Sequence, residues 1–328
     1  MRRSSIRTAL AAACGLLAVT EVQAGAQGLV YVSNEKSDTI SVLDPAQDHR
    51  LVATIEACGR PRDMEWDPTK RFIYVACADD SEIGIIDVEK GEQVDAIPYI
   101  EEPEAFEFDH AFKRLFVSNE EDAALSVVDL ESREVIAWIE TGEEPEGVLV
   151  TPDDKQIWVT SEASNLVHVI DGETYEVLAD IPVGTRPRRF AMTPDGREIW
   201  VSAELAGKVD IIDARTFEVI DSISFLPQGF RPEQVTPVDV LITKDGKRAY
   251  VALGRANHVA VVDVEKREVI KYILAGNRVW GLTLTKDEKI LYAANGLSDD
   301  VSIIDTETLT NVQSVPVGQI PYKVLVRE

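Results

Sequence analysis

The segment Ile157–Asp171 reads IWVTSEASNLVHVID, and 42 residues later Ile199–Asp213 reads IWVSAELAGKVDIID. Each is an aromatic-led apolar run, a short polar turn, and a second β-branched run that ends in Asp. Working outward from this pair, the unit recurs with terminal aspartates at Asp44, Asp87, Asp129, Asp171, Asp213, Asp263 and Asp305, at steps of 42 or 43 residues and one of 50. Short runs of alternating β-branched and aromatic residues predict strands. A period of about 40 to 45 residues built from such strands predicts a propeller blade. Seven copies therefore predict an all-β fold, a seven-bladed β-propeller of four-stranded antiparallel blades.

Within a repeat we label the strands A to D. Strand B carries the aromatic residue (Tyr31, Tyr74, Phe116, Trp158, Trp200, Tyr250, Tyr292), strand C ends in the aspartate, and strand D follows it. Strand A is introduced by a Gly/Pro break such as Thr185-Arg186-Pro187 and ends in a turn such as Thr193-Pro194-Asp195-Gly196. The chain starts at a strand B and stops at a lone strand A, Tyr322–Val326, which is expected to complete the N-terminal blade and close the ring, removing exposed sheet edges. The repeated aspartate is expected to accept hydrogen bonds from the C-to-D turn, and the aromatics to pack between blades.

Arg2, Arg3 and Arg7 precede an apolar run from Ala9 to Val19 and small-residue sites at Ala24 and Ala26. This predicts a secretory signal peptide over 1–26, cleaved after residue 24 or 26, and a single propeller domain over 27–328. The run is short for a membrane span of about 20 residues. The expected location is the periplasm, as an exported soluble protein without a transmembrane segment in the mature chain. The formal charge of −25 argues against nucleic acid as a partner, since phosphates are met by Lys and Arg.

The elements Tyr31-Val32-Ser33-Asn34, Phe116-Val117-Ser118-Asn119, Val301-Ser302-Ile303-Ile304-Asp305-Thr306 and Val183-Gly184-Thr185-Arg186-Pro187 resemble those of the YVTN-repeat β-propellers over essentially all of residues 28 to 328. Within that group the chain looks most like the exported propeller associated with PQQ-dependent alcohol catabolism. The resemblance implies work in the periplasm beside a quinoprotein dehydrogenase or c-type cytochrome as a candidate partner.

Alternating strand direction puts the D-to-A and B-to-C loops at one mouth of the central channel. Propellers bind ligands at such a mouth, where loops vary on a rigid frame. The first side chains of strand A are expected to face the channel there: Arg62, Glu104, Glu146, Arg188, Asp239, Trp280 and Tyr322. Guanidinium groups beside aromatic faces suit a flat anionic ligand such as the tricarboxylated quinone PQQ. Glu104 and Glu146 instead suit a divalent or lanthanide cation, through oxygen ligands. The one long step lies in a D-to-A loop, where Phe225, Phe230 and Arg231 are candidates for a lid or partner contact. Cys58 and Cys77 fall at the same mouth and form a disulfide candidate in an oxidising compartment.

No Cys-x-x-Cys-His run points to haem, no phosphate-cradling loop to a nucleotide, and no Gly-x-Ser-x-Gly elbow to a serine hydrolase. His49, His110, His168 and His258 are scattered, and His168 reads as a packed strand residue. The expected function is thus an exported, non-catalytic accessory protein of PQQ-dependent alcohol oxidation, binding a small ligand or partner at the channel mouth. A lactonase-like metal-dependent hydrolase, with Glu104, Glu146 and Asp239 as ligands or bases, is the alternative. A protein–protein scaffold is the third reading.

Overall fold

A computed structural model describes residues 28–328; the leader expected over 1–26 lies outside the described residues. These form seven four-stranded antiparallel sheets, and among the described residues there is no α-helix, only two single 3-10 turns. Blade 1 is Val30–Asn34, Thr39–Asp44 and Arg50–Glu56 with the C-terminal strand Pro321–Val326 on its inner edge. The closing strand pairs Val30 with Val326 and Val32 with Val324. In the other blades the four strands are consecutive, beginning at the inner strands Pro61–Trp66, Pro103–Phe108, Pro145–Val150, Pro187–Met192, Val240–Ile242 and Val279–Leu284. The seven-bladed architecture and its closure follow the repeat count.

Each apolar cluster of the core joins two adjacent blades, and a strand-B aromatic belongs to it or packs against it. Trp158 packs with Ile199 and Val201 of the next blade, Trp200 with Val240 and Val251, and Tyr292 with Val30 and Val32 across the closure. Both tryptophans are fully buried, worth about 2 to 3 kcal/mol each in apolar transfer. The strand-C aspartates fasten the turns that follow them: the Thr174 and Glu173 N–H groups donate to Asp171 Oδ1, and those of Thr216 and Arg215 to Asp213 Oδ1. These bonds hold both carboxyls below the usual carboxylate range.

Two backbone features aim side chains at the channel. In six blades the register of strand A slips between its first and fourth residues, as at Pro187 and Phe190. Such a bulge leaves two consecutive residues unpaired. The residue before strand A is left-handed in the same six blades: Arg60, Glu102, Glu144, Arg186, Arg278 and Ile320, with φ between 42° and 61°. Side chains seldom adopt that region. It is pinned here because its carbonyl accepts from the first N–H of the B-to-C loop, as from Glu162 to Glu144 and from Glu204 to Arg186, both 2.8 Å.

Candidate functional site at the channel mouth

The serine or threonine of strand B sets the register of the site. Its hydroxyl donates to a carbonyl in the next blade's strand A, or just before it in blade 6: Ser33 to Arg62, Ser118 to Glu146, Thr160 to Arg188 and Ser202 to Val238, at 2.6 to 2.8 Å. This corrects one expectation. The blade-6 counterpart of Arg188 is Val238, because the long loop before it shifts the strand by one residue. Asp239 sits one step deeper in the channel, level with Asp63, Arg189 and Lys323. Its oxygens accept from the Leu282 and Val240 N–H groups, and burial raises its carboxyl pKa.

The other six expected mouth residues do converge, but on each other. Arg62 is ion-paired with Glu104 and stacks on the Tyr322 ring with its guanidinium carbon 4.7 Å from the centroid. Arg188 pairs with Glu146 at 3.0 Å and with Glu162, and lies 5.1 Å from the Trp280 ring. Arg278 covers Trp280 at 4.4 Å. The Tyr322 hydroxyl donates to Glu146 Oε1 (2.9 Å) and accepts from Arg189 (2.7 Å). The faces expected to clasp a flat quinone are therefore filled by the protein's own guanidinium groups. Glu146 does not stand free as a cation ligand either. Burial alone would raise its carboxyl, but Arg188, Arg189 and Arg62 outweigh burial and hold it far below the usual range.

Three glutamates that open B-to-C loops escaped the sequence reading, Glu35, Glu162 and Glu204, each directly after strand B, as Glu120 is. Glu204 meets Arg186 (3.2 Å), Arg188 (3.5 Å) and Arg278 (3.4 Å). Glu162 is held by Arg188 and, at 2.7 Å, by Arg186. Burial, working against the pull of Arg188, pushes the Glu162 carboxyl up to about 8. Burial also drives Glu104 well above its usual value, against Arg62. Arg186, Arg278 and Trp280 stay partly open to solvent, and Arg255 is exposed. The Nε–H groups of Arg188 and Arg278 are buried without an acceptor among the described residues.

The long loop does not offer its aromatics. Phe225 is buried and Phe230 packs edge-on to His258 at 5.5 Å, leaving Arg231 as the exposed member of the three. Cys58 and Cys77 are joined, with Cα atoms 5.6 Å apart. The bond replaces a polar tether used in other blades, where the loop glycine N–H meets a strand-C side chain, as Gly184 meets Asp210 and Gly318 meets Ser41. Blade 2 has Gly84 at that strand-C position, where a Cβ would stand 2.9 Å from Cys77 Sγ.

His168 makes the same tether in blade 4. Its Nε2 accepts from the Gly142 N–H (2.8 Å), so Nδ1–H donates to Asp180 Oδ1 (2.6 Å), with Ser161 Oγ 3.0 Å from Nε2. The order Ser–His–Asp matches a catalytic triad. It is structural here, because Ser161 is fully buried and the Nε2 lone pair is already engaged.

A model of the family described as Lactonase, 7-bladed beta-propeller matches residues 18–94 and 148–325. No curated protein matches the sequence. Among solved structures, a candidate 6-phosphogluconolactonase from Bacteroides fragilis superposes with a TM-score of 0.77 at 16% identity, covering 92% of this chain and 98% of that one. A counterpart from Bacteroides uniformis gives 0.74 at 17%, over 92% and 99%. Hydrazine synthase from Kuenenia stuttgartiensis gives 0.75 at 19%, over 84% and 92%. Likeness at this identity concerns the fold. The family match corrects the expectation of a non-catalytic accessory protein of quinone-dependent oxidation, in agreement with the filled aromatic faces.

Proposed function

The chain belongs to the seven-bladed β-propeller lactonase family, and on that footing we propose that it hydrolyses a lactone at the channel mouth. The observation that carries this reading is the family match over 148–325, which takes in a mouth where the buried Glu162 carboxyl lies against Arg186 and Arg188 and is raised by burial. General bases work best with a pKa near the working pH. Glu162 takes a proton from a water that adds to the lactone carbonyl. The guanidinium groups of Arg186 and Arg278, which stay partly open to solvent, stabilise the oxyanion so formed. Collapse breaks the ring C–O bond, and the proton on Glu162 passes to the departing ring oxygen, giving the open hydroxy acid.

Glu162, Arg186, Arg188, Glu204 and Arg278 all fall within the matched stretch 148–325. The excess of guanidinium groups on this arc favours an anionic lactone, and the names of the Bacteroides proteins suggest a phosphorylated sugar-acid lactone as the first to try. Action in an exported, oxidising setting belongs to the same reading, supported by the leader-like residues 1–26 and the Cys58–Cys77 bond. The test is ring opening of a lactone panel by purified protein, followed by proton release, with Glu162→Gln as the matched control. Turnover lost in that variant supports the reading; equal rates in the two proteins contradict it.

A further inference from the structure

We propose that blade 3 carries a site for a hard divalent cation of the Ca²⁺ class, made by Glu102, Glu104 and Glu120. These come from three segments of one blade: the left-handed residue before strand A, the second residue of that strand and the first of the B-to-C loop. One carboxylate oxygen from each lies within 4.8 Å of the other two. An all-oxygen carboxylate set suits Ca²⁺, with waters completing its six to eight ligands.

A second observation points to a ligand. Glu104 is fully buried, and the oxygen that Arg62 leaves free, Oε2, has no partner among the described residues. An unpartnered buried carboxylate oxygen is costly. Arg60 reaches Glu102 at 2.5 Å and Glu104 at 3.6 Å, while Glu120 makes no ion pair among the described residues. Three carboxylates thus meet two guanidinium groups, with Glu121 and Asp122 next in sequence to deepen the negative field. Glu102 and Glu120 are only half-buried, which leaves a way in from solvent.

The site lies on a different blade from the arc assigned to lactone hydrolysis, and the ion pairs of Arg62 with Glu104 and Glu146 and of Arg188 with Glu146 link the two. Residues 95–147, which hold all three glutamates, fall between the two stretches matched by the family model. It also differs from the pair expected from sequence, since Glu146 is committed to its arginines.

Calcium titration of the chelator-stripped full chain by calorimetry and thermal shift tests the proposal without reference to activity. One saturable Ca²⁺ site is expected, with Kd on the order of 10⁻⁵ to 10⁻³ M and a rise in Tm by mass action. Glu120→Gln should weaken binding at least tenfold while its Tm without calcium stays within a few degrees. Glu265→Gln, on an exposed turn, should bind as the parent does and so controls for diffuse attraction to an acidic protein. Heat and Tm responses that are absent, or that persist unchanged in Glu120→Gln, would overturn the site; loss of binding in Glu265→Gln as well would show diffuse association and overturn it too.

Discussion

Glu162 Oε2 lies 2.7 Å from Arg186 Nε at the mouth of the channel, joining the B-to-C loop of blade 4 to the left-handed residue that opens strand A of blade 5. The backbone holds both ends. Burial raises the carboxyl to about 8, so as a base it is active only when deprotonated. kcat/KM should climb with pH up to about 8 and level off above it. Glu162→Gln should lower kcat by roughly 10²- to 10⁴-fold and abolish that ascending limb. A pH–rate profile of both proteins checks this; an unchanged limb in the variant would assign it to another group.

Arg278 is the guanidinium on this arc with one carboxylate partner, Glu204, and an indole face beneath it. A lysine there keeps the charge and loses both the planar stacking and the Nε–H donor. Arg278→Lys should therefore reduce kcat/KM by about tenfold or more, in line with the loss of one charge-assisted hydrogen bond worth roughly 1.5 to 3 kcal/mol. Far-ultraviolet circular dichroism and Tm should hardly move. Steady-state kinetics on the Arg278→Lys and Arg278→Ala proteins reads out the difference.

The Cys58–Cys77 bond closes a loop with a sequence separation of 19, for which chain entropy predicts about 3 kcal/mol of stabilisation. Replacing both cysteines by alanine should lower Tm by several degrees in non-reducing buffer. Dithiothreitol should then have no further effect on the variant. Gly84→Ala should also destabilise, by about 1 to 3 kcal/mol, because the new Cβ meets Cys77 Sγ. Combined with the double alanine substitution, that penalty should shrink, and a double-mutant cycle by denaturant melts measures by how much.

Glu107 lines the channel below the mouth, and burial raises its carboxyl to about 8. The folded chain thus keeps this proton over a pH range in which the unfolded chain has released it. Stability from this group is full below the ordinary carboxyl pKa and is lost as pH rises from about 4.5 toward 8. Glu107→Gln should raise Tm at pH 8 and leave it nearly unchanged at pH 5. Melting curves at the two values decide it, and an equal shift at both would rule out titration as the cause.

The fold was legible because the blade repeats seven times. Asp171 and its six counterparts, the strand-B aromatics and the closing strand Pro321–Val326 each do one local job that copy number exposes. The mouth was legible only in part. Arg62, Glu104, Glu146, Arg188, Trp280 and Tyr322 do meet, but whether a guanidinium faces a ligand or a neighbour depends on contacts between blades 42 residues or more apart. Asp239 was misplaced by one residue because the insertion at 225–234 hides the register, which the Ser202-to-Val238 hydrogen bond fixes in space. Glu162 and Glu204 left a visible signal, a glutamate at the end of strand B in four repeats. Their proximity to Arg186 and Arg188 comes from the left-handed turn before strand A, which no residue type announces.

The most direct measurement of chemistry at this mouth is hydrolysis of a phosphorylated sugar-acid δ-lactone by the purified full chain, followed by proton release against the spontaneous rate. Ring opening well above background, saturable in lactone and lost in Glu162→Gln, is the predicted result. Rates equal to background across anionic and neutral lactones, for a chain whose melting curve shows it folded, would contradict it.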